Sequence, residues 1–150
     1  MRPLASSLER AQSASIPPVT NLDSWDGYPQ ARQRLADMLA TGVKNPVFLT
    51  GDRHTAMAST LHQKTFDTRS KRIGHELVGS SISSGCPWAQ DMEVMRKANP
   101  HVSHLNGKQR GYLRVTVSKK DCTGDFRIVE DAGRADPRVY TDVEIRTKDI

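Results

Sequence analysis

The stretch Asn45-Pro46-Val47-Phe48-Leu49-Thr50-Gly51-Asp52-Arg53-His54 constrains this chain most. Val47, Phe48 and Leu49 form a continuous apolar run, the pattern of a strand buried on both faces. Gly51 breaks the run, and a carboxylate and an imidazole follow at Asp52 and His54. In open α/β sheets, ligands bind outside the carboxyl ends of the strands. Gly-Asp-x-His after a buried strand therefore sets an oxygen donor and a nitrogen donor where chemistry is usually done. The pair suits a metal ion, and a metal suits phosphate chemistry. A plainer arrangement fits the same ten residues, with Asp52 capping a turn and His54 satisfied at the surface.

The length, 150 residues, is that of one domain with room for a core. Hydrophobic residues at 36% and charged residues at 26% describe a globular chain, not a disordered one. No run is long enough to span a bilayer, so no membrane partner is expected. The start, Met-Arg-Pro-Leu-Ala-Ser-Ser-Leu-Glu-Arg, lacks the apolar core of a signal peptide, and a cytoplasmic location is expected for the chain as written. The net charge of +5 permits phosphate-bearing partners. The 22 Lys and Arg residues, however, are scattered among 17 acids. With no basic stripe and few aromatics, no nucleic-acid partner is expected. Cys86 and Cys122 form no Cys-x-x-Cys pair, which argues against a zinc knuckle or redox motif.

Residues 1–22 show no period, and Pro17-Pro18 stops any helix, so an extended or poorly ordered arm is expected there. The domain proper is expected over 23–150. Pro29 fits the first turn of a helix whose apolar stripe is Ala31, Leu35, Met38 and Leu39, with Gly42 as its C-terminal glycine. The Val47–Leu49 strand and the Gly51 loop follow. Residues 55–64 fit a short helix or a strand, and 65–72 a polar loop. A strand is expected over His75–Ser83, its small residues allowing close backbone approach. Residues 89–98 read as a helix with Met92, Met95 and Ala98 on one side, ended by Asn99-Pro100. Beyond it the pattern changes to period two. Leu113, Val115 and Val117 alternate with polar residues, and Asp125–Val129 pairs back as an antiparallel hairpin. A further strand over Val139–Ile145 turns Val139, Val143 and Ile145 inward and Asp142 and Glu144 outward. The fold class is α/β (α+β), a mixed sheet with a C-terminal antiparallel hairpin.

Asp52 and His54 lead the candidates for chemistry, and at least one more ligand must come from elsewhere. His101 and His104 share a side only if their stretch coils, and a surface loop is the expectation. His75 fits edge-strand polarity. Cys86 has nothing around it in sequence to lower its pKa. The loop Asn106-Gly107-Lys108-Gln109-Arg110-Gly111-Tyr112 stands second. Asn106 offers an amide oxygen to a hard cation, and Arg110 a fork of donors to phosphate. A hairpin-entry turn rich in Asn and Gly is the alternative. No Walker loop, Gly-x-Ser-x-Gly elbow or GxGxxG fingerprint is present.

Taken together, these stretches resemble the alkaline phosphatase D family of metallophosphoesterases, which has calcineurin-like relatives. Asp23–Pro29 with the helix after it resembles the segment before that family's last metal-binding strand. Val47–His54 resembles its Gly-Asp-x-His strand end. Glu76–Gly85 resembles its Glu-Phe-Val-Gly-Thr-Ser-Ile-Ser-Ser-Gly strand. Asn99-Pro100-His101, then Asn106 through Val117, resembles its Asn-Pro-His and Arg-Gly-Tyr-Val-Arg stretch. The resemblance runs from about Leu22 to Val129. It implies the C-terminal portion of an αββα sandwich and a phosphomonoesterase or phosphodiesterase acting on a phosphate ester. It also implies a multi-metal site, with iron and calcium as the metals, in which Asp52 and His54 are ligands and Asn106 lies near. The family's front-half ligands are not found in this sequence. The expectation is a truncated hydrolase, inactive alone, that associates with the missing N-terminal half or with itself. The alternative is a non-catalytic α/β remnant serving as an interaction module.

Overall fold

The computed structural model describes residues 24–64 and 67–148. The arm expected over 1–22 lies outside them. Helix α1 (Pro29–Gly42) opens with proline in its first turn, where the missing N–H would have no helical partner anyway. A short 3-10 turn, Trp25–Gly27, precedes it, and Asp26 pairs with Arg32 on the helix. The buried face of α1 is Leu35, Ala36, Leu39 and Ala40, packed on Ile73, Phe48 and Leu61. Met38, expected in that stripe, is 62% exposed. Gly42 is the last helical residue, not a left-handed cap. No described glycine has positive φ, and Val43 closes the helix in an extended conformation.

Seven strands follow: β1 (Val47–Thr50), β2 (Ala56–His62), β3 (Arg72–Val78), β4 (Val102–Asn106), β5 (Arg110–Val117), β6 (Cys122–Val129) and β7 (Val139–Arg146). A 3-10 turn at Ala89–Asp91 leads into the short helix α2 (Met92–Ala98), which buries Met92 and Ala98. The first sheet has the order β1-β3-β2-β4, and the second β5-β6-β7. Only β1 and β3 run parallel. The architecture is a mixed α/β fold of two sheets, with α1 on one face of the first sheet and the second sheet on the other. The undecided stretch 55–64 is strand β2, and the expected loop holding His104 is strand β4.

Strand β1 is an edge strand whose two faces both meet core, Val47 packing between the sheets and Phe48 beneath α1. Val47 and Phe48 are half-buried and Leu49 is 57% exposed. The apolar run is right for a strand, but its second flank has no neighbour among the described residues. Strand β3 stops at Val78, because the serines beyond it leave the ladder. A bulge leaves Ile73 without a partner on β2, since Leu61 pairs Gly74 and His62 pairs Arg72. This extra residue lets Ile73 face α1 while Leu77, on the same strand, faces the second sheet.

The main core lies between the sheets. Ala56, Ala58, Leu77 and Phe126 are buried, with Val47, Leu113, Val143 and Ile145 packed against them. Two glycines let the backbones come close. A Cβ on Gly124 would lie 2.8 Å from Leu77 Cδ1, and one on Gly111 only 1.8 Å from the Arg127 carbonyl oxygen. That oxygen belongs to the strand paired with Gly111, so it cannot retreat. Gly111→Ala is therefore expected to destabilise the fold by about 3 kcal/mol or more. Gly42→Ala meets nothing within 4 Å. It should stabilise the fold slightly, by up to about 1 kcal/mol. Urea denaturation of both variants checks the pair, and a costly Gly42→Ala would restore the left-handed cap.

Candidate functional site

The first sheet brings the chemistry-bearing loops to one rim. Parallel β1 and β3 end there, antiparallel β2 begins there at Ala56, and β4 ends beside it at Asn106. The loops after β1, β3 and β4 therefore meet. Gly51 keeps an ordinary φ, and the chain reverses instead at Asp52 (φ 67°) and His54 (φ 55°). Asp and His tolerate the left-handed region better than most residues, and such backbone clusters at functional sites. Thr55, 1% exposed, anchors the loop by donating to the Arg53 carbonyl at 3.0 Å. Its hydroxyl also lies 3.5 Å from Cys86 Sγ.

His54 Nδ1 lies 3.0 Å from the Gly85 carbonyl oxygen. A carbonyl only accepts, so Nδ1 carries a proton, and in the neutral imidazole Nε2 keeps its lone pair. That tautomer is the one a metal-ligating histidine needs, with its other nitrogen fixed by an outer partner. Asp52 is exposed and makes no side-chain hydrogen bond among the described residues. Arg110 approaches the same loop from the second sheet. Its Nε donates to the Ser83 carbonyl at 3.3 Å and its Nη1 to the Lys108 carbonyl at 3.2 Å. Nη2 lies 3.3 Å from where a Cβ on Gly85 would stand. Gly85 is thus the meeting point, with its carbonyl on His54 and its open side on Arg110. The Gly111 N–H donates to the Ser81 carbonyl at 3.0 Å and ties the serine loop down. Arg110 bonds only carbonyls, so its charge stays uncompensated by any carboxylate among the described residues.

Asn106 is held differently. Its Oδ1 accepts from the N–H groups of Lys108 (3.1 Å) and Gln109 (3.3 Å). Its Nδ2 donates to Gln109 Oε1 (2.9 Å) and Asp142 Oδ2 (2.8 Å). Both lone pairs and both protons of the amide are engaged, so Asn106 shapes the loop and has no oxygen to offer a cation. Asp52 and His54 do fit a metal ion in donor type and tautomer. No cluster of three His, Cys, Asp or Glu side chains suited to a metal occurs among the described residues. Asp52 and His54 therefore fit one side of a metal site and do not complete it.

Asp142, expected to face solvent, is exposed, and its carboxylate also reaches across to the first sheet. Phe126 pairs Val143 and Arg127 pairs Thr141, so Asp142 is the extra residue of a bulge. Val139, Val143 and Ile145 are half-buried as expected, and Tyr140, opposite Ile128, is 38% exposed. Asp142 reaches His104, with Oδ2 3.4 Å from Nε2. Sequence spacing hid this contact, because bulges carry no fixed signature. His104 stacks on Phe126 at 5.1 Å, while His101 lines a small cavity with Arg32 and His62 beside α1. The two histidines, three apart, thus face opposite ways. Groups from β4, the loop after it, α2 and Asp142 line a groove of about 330 Å³.

The chain matches the family model described as PhoD-like phosphatase over residues 3–126. The chain belongs to the PhoD-like phosphatase family. The match takes in most of the segment set apart as an arm. Alkaline phosphatase D of Bacillus subtilis (strain 168) is 40% identical over 119 residues, which is 77% of this chain and 20% of that protein. A solved structure titled "Structure of PhoD" superposes with a TM-score of 0.75 at 35% identity, covering 84% of this chain and 25% of that one. The chain thus spans about a fifth of the curated relative's length. Among the described residues, no helix is long and apolar enough to cross a membrane. Both cysteines are free thiols.

Burial pushes the His75, His101 and His104 imidazoles below the ordinary histidine value. Arg72 adds to this at His75, Arg32 and His62 add to it at His101, and Asp142 opposes it at His104. The unfolded chain therefore binds more protons than the fold below the ordinary value of 6.5. Stability from these groups is full above that pH and declines as pH falls toward the lowered values. The urea midpoint should drop from about pH 7 to about pH 5. His75→Asn should flatten that slope, and an unchanged slope would exclude His75 as a contributor.

Proposed function

We propose that this chain carries one side of the active site of a metal-dependent phosphoric ester hydrolase. In this reading, Asp52 and His54 are ligands to iron or calcium, and Arg110 binds the phosphoryl group of the ester. The observation that carries it is the His54 tautomer, fixed by Gly85 within a loop that also approaches Arg110. A bound metal supplies Lewis acidity toward phosphoryl oxygens. The groups of this chain bind and orient. Arg110 offers Nη2 and charge to a phosphate oxygen while its other nitrogens hold two carbonyls. Asp52, with no side-chain hydrogen bond among the described residues, has its carboxylate oxygens available to a cation. Asn106 holds the loop and is no ligand.

With the site incomplete, the chain alone is expected to be weak or inactive. The remaining ligands come from a polypeptide that carries the rest of the domain, or from a second copy. The open flank of β1, with Leu49 exposed, supports a second reading: an interaction module whose role is to pair with that other half.

Elemental analysis and a chromogenic phosphodiester assay test the proposal on the chain alone and on the chain mixed with the front part of a relative. Asp52→Ala and His54→Ala should each weaken metal binding by more than the roughly tenfold loss seen for outer-shell partners. Arg110→Ala should leave metal content intact and weaken phosphate ester binding. A stable complex that holds no metal and turns over no ester would favour the interaction module and overturn the hydrolase reading.

A further inference from the structure

Residues 127–148, which include β7, lie beyond the stretch matched by the family model. Two of their side chains nevertheless reach the loop between β4 and β5. Asp142 Oδ2 accepts from Asn106 Nδ2 at 2.8 Å, and Tyr140 Oη accepts from Gln109 Nε2 at 2.9 Å. Asn106 in turn holds the N–H groups of Lys108 and Gln109, and Lys108 gives its carbonyl to Arg110 Nη1. A continuous set of hydrogen bonds therefore runs from the third strand of the second sheet to the guanidinium beside Gly85. The β7 bulge makes it. In regular register Asp142, next to the half-buried Val143, would alternate to the opposite face, away from Asn106.

We infer that Asp142 and Tyr140 are positioning residues for the loop that carries Arg110. Neither touches the phosphate in this scheme. Asp142 fixes which way the Asn106 amide points. With Nδ2 drawn to Asp142 and Gln109, Oδ1 is left facing the loop N–H groups, which sets the turn from which Arg110 emerges. His104 on the same carboxylate adds little direct bonding, since its Nε2 at 3.4 Å is buried without a hydrogen bond. The consequence for ligand binding rests on Arg110 being the phosphate-binding group. The positioning does not.

Amide hydrogen exchange by NMR, with a parallel inorganic phosphate titration, tests this on the whole chain. Asp142→Ala should speed exchange at the Lys108 and Gln109 amides about fivefold, as loss of one hydrogen bond does. The β2–β3 ladder should keep its protection. Asp142→Asn, which retains an acceptor oxygen, should restore most of the slowing. Tyr140→Phe keeps the ring and should loosen Gln109 alone, and it carries the test if Asp142→Ala does not fold. Phosphate binding should weaken in Asp142→Ala but show no further loss when Arg110→Ala is already present. Unchanged exchange at Lys108 and Gln109, or exchange rising equally through the first sheet, overturns the inference. Faster loop exchange together with phosphate binding that Arg110→Ala leaves unchanged supports the positioning and sinks the Arg110 reading.

Discussion

The contact of Leu77 with Gly124, beneath Phe126, holds the two sheets together, and the rest depends on it. Leu77 is fully buried and Phe126 nearly so. Only a residue without Cβ at 124 lets the Leu77 side chain sit directly on the facing backbone. That spacing sets how the chain passes from β4 in one sheet to β5 in the other. The three-residue link between them carries Arg110 out at its end, and the serine loop after β3 is bonded to it on the far side. The candidate site is therefore a seam between sheets, more than a property of either one.

Where side-chain period matches a regular element, the sequence told the fold directly. Leu113 and Val115 mark β5, and Pro29 marks the start of α1. Legibility failed where the backbone breaks its period. Ile73 and Asp142 are bulge residues, and each faces a side that simple alternation denies it. Strand β2 is built of Ala, Ser and Thr at positions where small size fits a crowded interior, so neither helical nor strand propensity stands out. The Val47–Leu49 run reads as buried on both faces, and Val47 and Phe48 do meet a core on either side, but only the sheet order reveals the open flank and the exposure of Leu49.

At the site, Asp52 and His54 were legible as a pair of donor types after a strand. Their left-handed backbone was not, because the glycine next to Asp52 draws attention to itself. Asn106 has the right chemistry for a cation, and three of its four hydrogen bonds are to neighbours in the same loop. The fourth partner, Asp142, lies 36 positions on and arrives only through the bulge. Residue type gave its capacity, and tertiary structure decided how that capacity is used. Membership of a phosphatase family fits this arrangement of strand ends, and the chain spans about a fifth of the curated relative's length.

The sheet order has a kinetic consequence. Strand β3 lies between β1 and β2, although it follows both in the chain. The Gly51–Thr55 segment must therefore arch over the end of β3, across two interstrand spacings of about 5 Å each. The hairpin-like pairing of β2 with β3 is close in sequence, whereas the β1–β3 pairing closes a longer loop and carries the larger entropic barrier. The arch bearing Asp52 and His54 spans the end of β3, so its shape depends on both the β1–β3 and the β2–β3 pairings. The carboxylate and the imidazole are thus placed by long-range strand pairing and not by the loop sequence alone.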